Sequence, residues 1–482
     1  MRRVLLATAL AVVLPVAPAL AQGTVLPESV VTATRIPTLV DRIPAGVTVI
    51  DRATIEARGY TTLAEALSAV PGMRLVQSGG PGGIASAFTR GTNSNHTLVL
   101  RDGIPLNDPS DPGGMFNFGV DTLADIERIE VVRGPMSGLY GSGAIGGVVN
   151  LITRRAKGTG LGPAQAHVSV AGGLPAAAQG AAGFSGRTGR FDYNVQTEAR
   201  AERGFDNTPR RMRVHTGERD GYEGALASVE LGVSPTDTTR VFTSLRARTA
   251  RFGLDDTGFP AFDSRRYFGR DQNVQGRVGG SGLFFDGVLE SSLVFSHTRS
   301  FRNYTQGLEA ADPNQATANT RYRGERSVVQ WSNTVRLADW GAAADNSLRF
   351  GLEHVADAAR STLDLSSFGS PYRNAVRATT SSTAAHGGGQ TTLFGRLTLT
   401  ADARQQESRY GGSATTWRTG AVLAVPEAWS RLKLAYGTGF KAPSLFDLFG
   451  LDNFGYRGNP TLRPERSAGW EGGIAVDRKS VV

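Results

Sequence analysis

From Ala164 to Arg478 the chain alternates apolar and polar residues with a period of two. Phe191, Tyr193, Val195 and Thr197 share one face, with Asp192, Asn194, Gln196 and Glu198 on the other. In the same way Leu348, Phe350 and Leu352 oppose Arg349, Gly351 and Glu353, and Leu432, Leu434 and Tyr436 oppose Arg431, Lys433 and Ala435. About 14 such segments are readable at the roughly 10-residue length of a membrane-spanning strand. No apolar run of about 18 residues follows the N-terminus, so the sequence offers no spanning helix. Lipid tolerates only helices and closed barrels, so a membrane reading of this chain is a β-barrel. A soluble antiparallel sandwich alternates identically in sequence. The second face discriminates, because arginines and acids recur on it over about 300 residues, which suits a wide polar lumen.

Composition agrees with strands and turns. Glycine, 61 of 482 residues, is about twice its usual share of roughly 7%. Cysteine is absent, which excludes disulfides, thiolate metal sites and thiol nucleophiles. The formal charge is +9. Met1–Ala21 has Arg2-Arg3, an apolar stretch from Val4 to Val16 and Ala19-Leu20-Ala21, the pattern of a cleaved export signal. Its loss removes two arginines and leaves +7, an excess that suits anionic outer-membrane lipid headgroups. Nucleic acid is not an expected partner, because the arginines are scattered through the strands rather than gathered in a stripe.

Catalytic signatures are missing. His96, His167, His215, His297, His354 and His386 stand too far apart for a local metal motif. No G-x-S-x-G occurs, so no hydrolase elbow is present. The expectation is a chain without enzymatic activity and without a resident cofactor.

Before the alternating region, Gly46–Thr153 reads as a small α/β domain. Val47, Val49 and Ile50 suggest a strand, and Thr62-x-x-Glu65 is a capping box before Leu63, Leu67 and Val70 at helical spacing. Pro71-Gly72 stops that helix. Gly72–Val76 and Thr97–Leu100 are further strand candidates, and Gln77–Ala87 and Asn107–Gly119 are loops by composition. Arg128–Arg155 then gives two strand-like runs, Ile129–Arg133 and Gly147–Thr153, around a glycine-rich turn. Gly141, Gly143 and Gly146 match G-x-G-x-x-G, but a strand rather than a helix follows and no acid appears until Asp192, so a dinucleotide site is not supported.

This stretch, with RGTNSNHTLVLRDGIPLN at Arg90–Asn107, resembles the plug domain of TonB-dependent outer-membrane receptors, most closely the cobalamin (BtuB-type) branch. Phe440–Phe449 and Gly458–Glu465 resemble paired barrel motifs of the same family. The resemblance implies an α/β plug domain inside an antiparallel transmembrane β-barrel. Its divisions are a signal at 1–21, a TonB-box segment and linker at 22–45, the plug at 46–155 and the barrel at 164–482.

Several roles come with the resemblance. Glu28, Ser29, Val30, Val31, Thr32 and Ala33 resemble the TonB box, which a TonB-type energy-coupling protein with its inner-membrane complex captures as an added strand. Arg35 resembles the arginine that locks this region to the barrel wall, with its acidic partner unassigned. The two plug loops form the floor of a small-molecule site through Ser78, Gly83, Ile84, Ala85, Ser86, Asn107, Ser110 and Asp111. Asp206, Asp220, Asp255, Asp256 and Asp263 lie where cobalamin receptors order outer loops with calcium, a cation that wants several oxygens. The implied activity is import of a scarce, bulky solute, cobalamin or a related corrinoid. A ferric siderophore is the alternative ligand, because longer or hydroxylated groups of the cobalamin pattern are missing at Ser78, Gly83 and Ala85. Only Gln22–Pro27 separates signal from box, which leaves no room for a signalling domain, and no histidine lies in Ala442–Gly458, which argues against haem.

The family has 22 strands, while about 14 are readable here. The last residues, Asp477–Val482, lack the family's terminal aromatic residue. The resulting expectation is a truncated chain with an incomplete barrel, a poorly inserted remnant that does not transport.

Overall fold

The computed structural model describes residues 29–155, 164–174, 176–256 and 262–476. The export signal expected at 1–21 and Glu28 of the expected TonB box therefore lie outside the described residues. The N-terminal domain is built on a five-stranded mixed sheet in the order Gly46–Asp51, Ile126–Arg133, Gly147–Thr153, Thr97–Arg101, Ile104–Pro105. Only Thr97–Arg101 and Gly147–Thr153 run parallel. Helix Leu63–Ser68 starts where the capping box places it: Glu65 N donates to Thr62 Oγ1 and Thr62 N to Glu65 Oε2. Its buried Leu63 and Leu67 join Ile129, Val131 and Val149 in one core.

The glycine-rich turn holds a short helix, Ser137–Tyr140, which sequence reasoning read as turn alone. Four residues flanked by glycine and proline carry no helical periodicity to detect. The glycines serve close approach to the surrounding wall. A Cβ on Gly134 would lie 2.5 Å from the Glu471 carboxylate, and one on Gly141 2.5 Å from Gln406 Oε1, both at positive φ.

Fourteen antiparallel strands, from Gln165–Gly173 to Glu465–Val476, form a single sheet with each strand beside its sequence neighbour, and the two-residue strand Leu451–Asp452 pairs alongside. The first and last strands each pair on one side only, so the sheet is open among the described residues. Leu348 and Leu352 are each 50% exposed, whereas Arg349 and Glu353 are 5% exposed. That split is the sequence alternation realised in space, apolar outward and polar inward.

The sheet curves around the small domain, and its inward face is fastened to it. Arg246 donates to Asp121 (2.6 Å) and Asp125 (2.8 Å), and Arg101 to Asp125 (2.5 Å). Arg277 pairs with Asp102, Arg302 with Asp111 at 3.0 Å, and Arg418 donates to Pro44 O at 2.9 Å. Burial alone would raise the Asp102 carboxyl, but Arg277, Arg155 and Thr153 outweigh it and hold it down at about 2. One end of the sheet has short connections, such as Phe285–Val288, Phe394–Arg396 and Pro426–Trp429. The other carries long ones, 203–221, 307–316 and 442–464. Phe285, Trp340, Phe394 and Trp429 stand exposed at the short-turn end, where an aromatic girdle meets a bilayer interface.

Candidate functional site

Three features of the chain converge on the enclosed domain. The first is the N-terminal segment at the short-turn end. Ser29–Val30 pairs with Thr38–Leu39, but Val31–Arg35 is a turn rather than the continuous β-prone stretch read from sequence. The cause is Glu130, which is fully buried and accepts from Val31 N (3.1 Å), Thr32 N (2.8 Å) and Thr32 Oγ1 (2.5 Å). Tyr140 OH donates to Thr32 O and Asn150 Nδ2 to Thr32 Oγ1, both at 2.9 Å. Val30, Thr32 and Ala33 are buried as a result. Arg35 lies 3.6 Å from Glu353, bonds His386 at 2.9 Å and covers the Tyr140 ring.

The second is a cavity of about 160 Å³ at the seam between the domain and the wall. Its upper lining, Tyr410, Lys441, Ser444 and Leu445, belongs to the long-loop end, and it descends to Tyr140, Glu353 and Arg404. Those last residues surround Arg35: Glu353 meets both Arg35 and, at 2.6 Å, Arg404. Helix Leu445–Phe449 closes one side, packing on Ala359 and Val376 of the long hairpin Ala343–Leu393.

The third is a carboxylate cluster in the long loops. One ligand atom each from Asp206, His215 and Asp263 falls within 4.8 Å of the others, and the same holds for Glu218, Asp255 and Asp263. Asp220 and Asp263 are fully buried, and Asp220 Oδ1, Asp263 Oδ1 and Glu218 Oε2 have no hydrogen-bond partner among the described residues. Burial first, then the neighbouring acids, push Glu218 and Asp255 up to about 7 and Asp220 to about 6. Buried, unpaired acid oxygens facing one another fit a hard divalent cation such as calcium. Asp256 stands apart from both groups, where its Oδ2 accepts from Asn314 Nδ2. Glu218 and His215 were not singled out in sequence; their only signal is proximity to Asp220.

The plug-loop residues expected to form one floor are not gathered. Ala85 is fully buried in the core with Leu63 and Leu67, so it cannot face a ligand. Gly83 is buried, and a Cβ there would sit 2.0 Å from Ser78 O. Ser78 and Ile84 are exposed and Ser86 is half-buried, but none lines the cavity, because their loop leans the other way: Gly80 packs on Asp220 and Gly82 on Tyr222 and Phe252. Ser110 bonds Asp108, and Asp111 is held by Arg302, Gly113 N and Met115 N. Asn107 alone of the eight lines the cavity, and its amide is engaged with Val99 N and Gly114 O. Loop polar groups must find partners somewhere, and here most find them within the loop or on the wall.

Residues 40–148 match the family described as TonB-dependent Receptor Plug Domain, and residues 178–480 match TonB dependent receptor-like, beta-barrel. Solved structures align over most of the chain. The siderophore receptor PiuA from Acinetobacter baumannii is 16% identical with a TM-score of 0.69, over 91% of this chain and 70% of its own. The ferric yersiniabactin uptake receptor FyuA from Yersinia pestis is 16% identical with a TM-score of 0.71, over 90% and 70%. A mutant of the ferric enterobactin receptor PfeA from Pseudomonas aeruginosa is 19% identical with a TM-score of 0.69, over 90% and 69%. At such identities the likeness is one of fold. The barrel match alone spans well over half of the sequence and the plug match falls on the enclosed domain, so the chain belongs to the TonB-dependent receptors.

Proposed function

We propose that this receptor sits in the outer membrane and imports a ferric siderophore, with its long loops outside and its short turns in the periplasm. The observation that carries this reading is the cavity, which opens among the long loops and descends along the plug–wall seam to the residues around Arg35. The solved relatives named above, by their titles, take up or bind siderophores, which supports the same ligand class. A TonB-type coupling protein would draw on Ser29–Ala33 from the periplasm by strand addition, where main-chain pairing supplies the affinity.

Cobalamin is the second reading. The carboxylate cluster favours it, because loop-ordering calcium is what the cobalamin resemblance implies and Gly80 of a plug loop packs directly on Asp220. Titrating the purified receptor with ferric siderophores and with cobalamin separates the two; cobalamin binding with no response to any ferric complex would sink the siderophore proposal. Coupling is tested by Val31→Pro, which removes a donor that strand addition requires. Uptake should fall to background while surface binding persists, and normal uptake by that variant would remove Ser29–Ala33 from the mechanism.

A further inference from the structure

The cavity holds one cation without a partner. Among the charged side chains that line it, Asp357 is held by Arg326 at 2.7 and 2.8 Å, and Glu353 by Arg404 at 2.6 Å. Asp108 lies 3.2 Å from Arg302, whose guanidinium is outside the lining. Lys441 is 8% exposed, and its side chain makes no hydrogen bond or ion pair within the described residues. The acids whose field reaches it are committed elsewhere: Glu465 to His96 at 2.9 Å, Asp111 to Arg302 at 3.0 Å, and Asp447 to capping Ser444 N at 3.0 Å. Gly114, at a φ of +68°, presents bare backbone there, and a Cβ on it would stand 3.4 Å from the ammonium. A buried ammonium with space before it and no acid in direct contact is a poor arrangement for the empty protein. It is a good one for receiving an oxyanion, since a charge-assisted hydrogen bond in a water-poor site is among the stronger polar contacts.

We propose that Lys441 is the anion-recognising residue of this cavity, and that the imported ferric complex carries a net negative charge and presents a phenolate or carboxylate oxygen to Nζ. This deepens the siderophore reading and rests on it. The other lining cations, Arg326 and Arg404, are held by Asp357 and Glu353, so Lys441 is the lining cation left to meet a ligand, while the apolar Leu445 and Leu448 and the Tyr410 ring offer surface to the ligand body.

The test uses the full chain in outer-membrane vesicles, with three probes: a ferric triscatecholate, which is anionic, a ferric trishydroxamate, which is neutral, and iron-free 2,3-dihydroxybenzoate. Lys441→Gln keeps much of the length and removes the charge, and Lys441→Arg keeps the charge. The expected result is a loss of about tenfold or more in triscatecholate affinity in Lys441→Gln, with Lys441→Arg near wild type, and at least a several-fold loss for dihydroxybenzoate. Equal binding of the anionic probes by wild type and Lys441→Gln overturns the assignment. So does a wild type that binds the neutral complex more tightly than the anionic one. If no ferric complex binds wild type, the siderophore reading fails, and dihydroxybenzoate still decides the anion site: binding that depends on Lys441 sustains it, and absent or unchanged binding overturns it.

Discussion

At the scale of single residues, the molecule is governed by where carboxylates find partners. Glu130 finds three donors on the N-terminal segment and turns a β-prone run into a buried loop. Nothing near Val31 in sequence announces this, because the acceptor lies about 100 positions away and only the fold brings it close. The acids of the long loops are the converse: Asp206, Asp220, Asp255, Asp256 and Asp263 were read as one group, but neither the separation of Asp256 nor the burial of the others was legible. Burial and like charge hold Glu218 and Asp255 at about 7 and Asp220 at about 6, above their unfolded values of 4.5 and 3.8. An acid whose folded pKa is raised stabilises the fold when protonated, so this contribution is full below about pH 4 and is lost as pH climbs through 6 and 7. A divalent cation reverses the sign by replacing the protons. Without calcium, trypsin cleavage after the exposed Arg210, Arg211 and Arg213 should therefore accelerate several-fold between pH 5.5 and 8. Millimolar calcium should suppress it at pH 8 and have little effect at pH 5.5. Calcium protection that is equal at both pH values would show that these acids do not bind the ion together.

At the scale of elements, sequence signals were reliable wherever the element faces one uniform environment. Barrel strands read clearly because lipid on one side and a polar lumen on the other impose strict alternation, as Leu348–Glu353 shows. Helix Leu63–Ser68 read clearly because its cap and its apolar spacing are both local. The helix Ser137–Tyr140 did not, since it exists by packing against the wall: Thr416 Oγ1 donates to Ser137 O, and Phe440 N to Ser137 Oγ. The cap gives an element-level prediction. Thr62→Ala removes the acceptor of Glu65 N and should destabilise the first turn by about 1 kcal/mol. Amides of Leu63–Ser68 should then exchange about fivefold faster than in wild type, with the barrel strands unaffected. Unaltered exchange in that helix would mean that tertiary packing, not the cap, sets its stability.

At the scale of the whole molecule, plug and barrel are one electrostatic unit, and no sequence pattern could pair Arg246 with Asp121 and Asp125 across more than a hundred residues. Burial would raise the Asp121 carboxyl, but Arg246, Arg248 and Arg101 outweigh it and hold it well below the ordinary range. Arg246→Met removes the cation that two buried acids share, leaving them one positive charge short with only Arg101 and Arg248 beside them, and should cost on the order of 3 kcal/mol. In planar bilayers it should show plug loosening, seen as channel conductance, at lower urea than wild type. Adding Asp121→Asn alone, which leaves Asp125 to Arg101 and Asp271 to Arg248, should restore most of the resistance, and an Arg246→Met variant that behaves as wild type would show the network to be dispensable. These fastenings are unevenly distributed along the plug sheet. Gly46–Asp51 is its edge strand, hydrogen-bonded only to Ile126–Arg133, and it is the first sheet strand after the segment that the coupling protein would grip. Tension applied at Ser29 therefore meets an outer strand held along one margin. Stripping it would leave the other four strands paired, so once the Arg35 and Pro44 contacts gave way the plug would unravel from its leading end, with the arginine-fastened remainder as the anchor against which the pull is made.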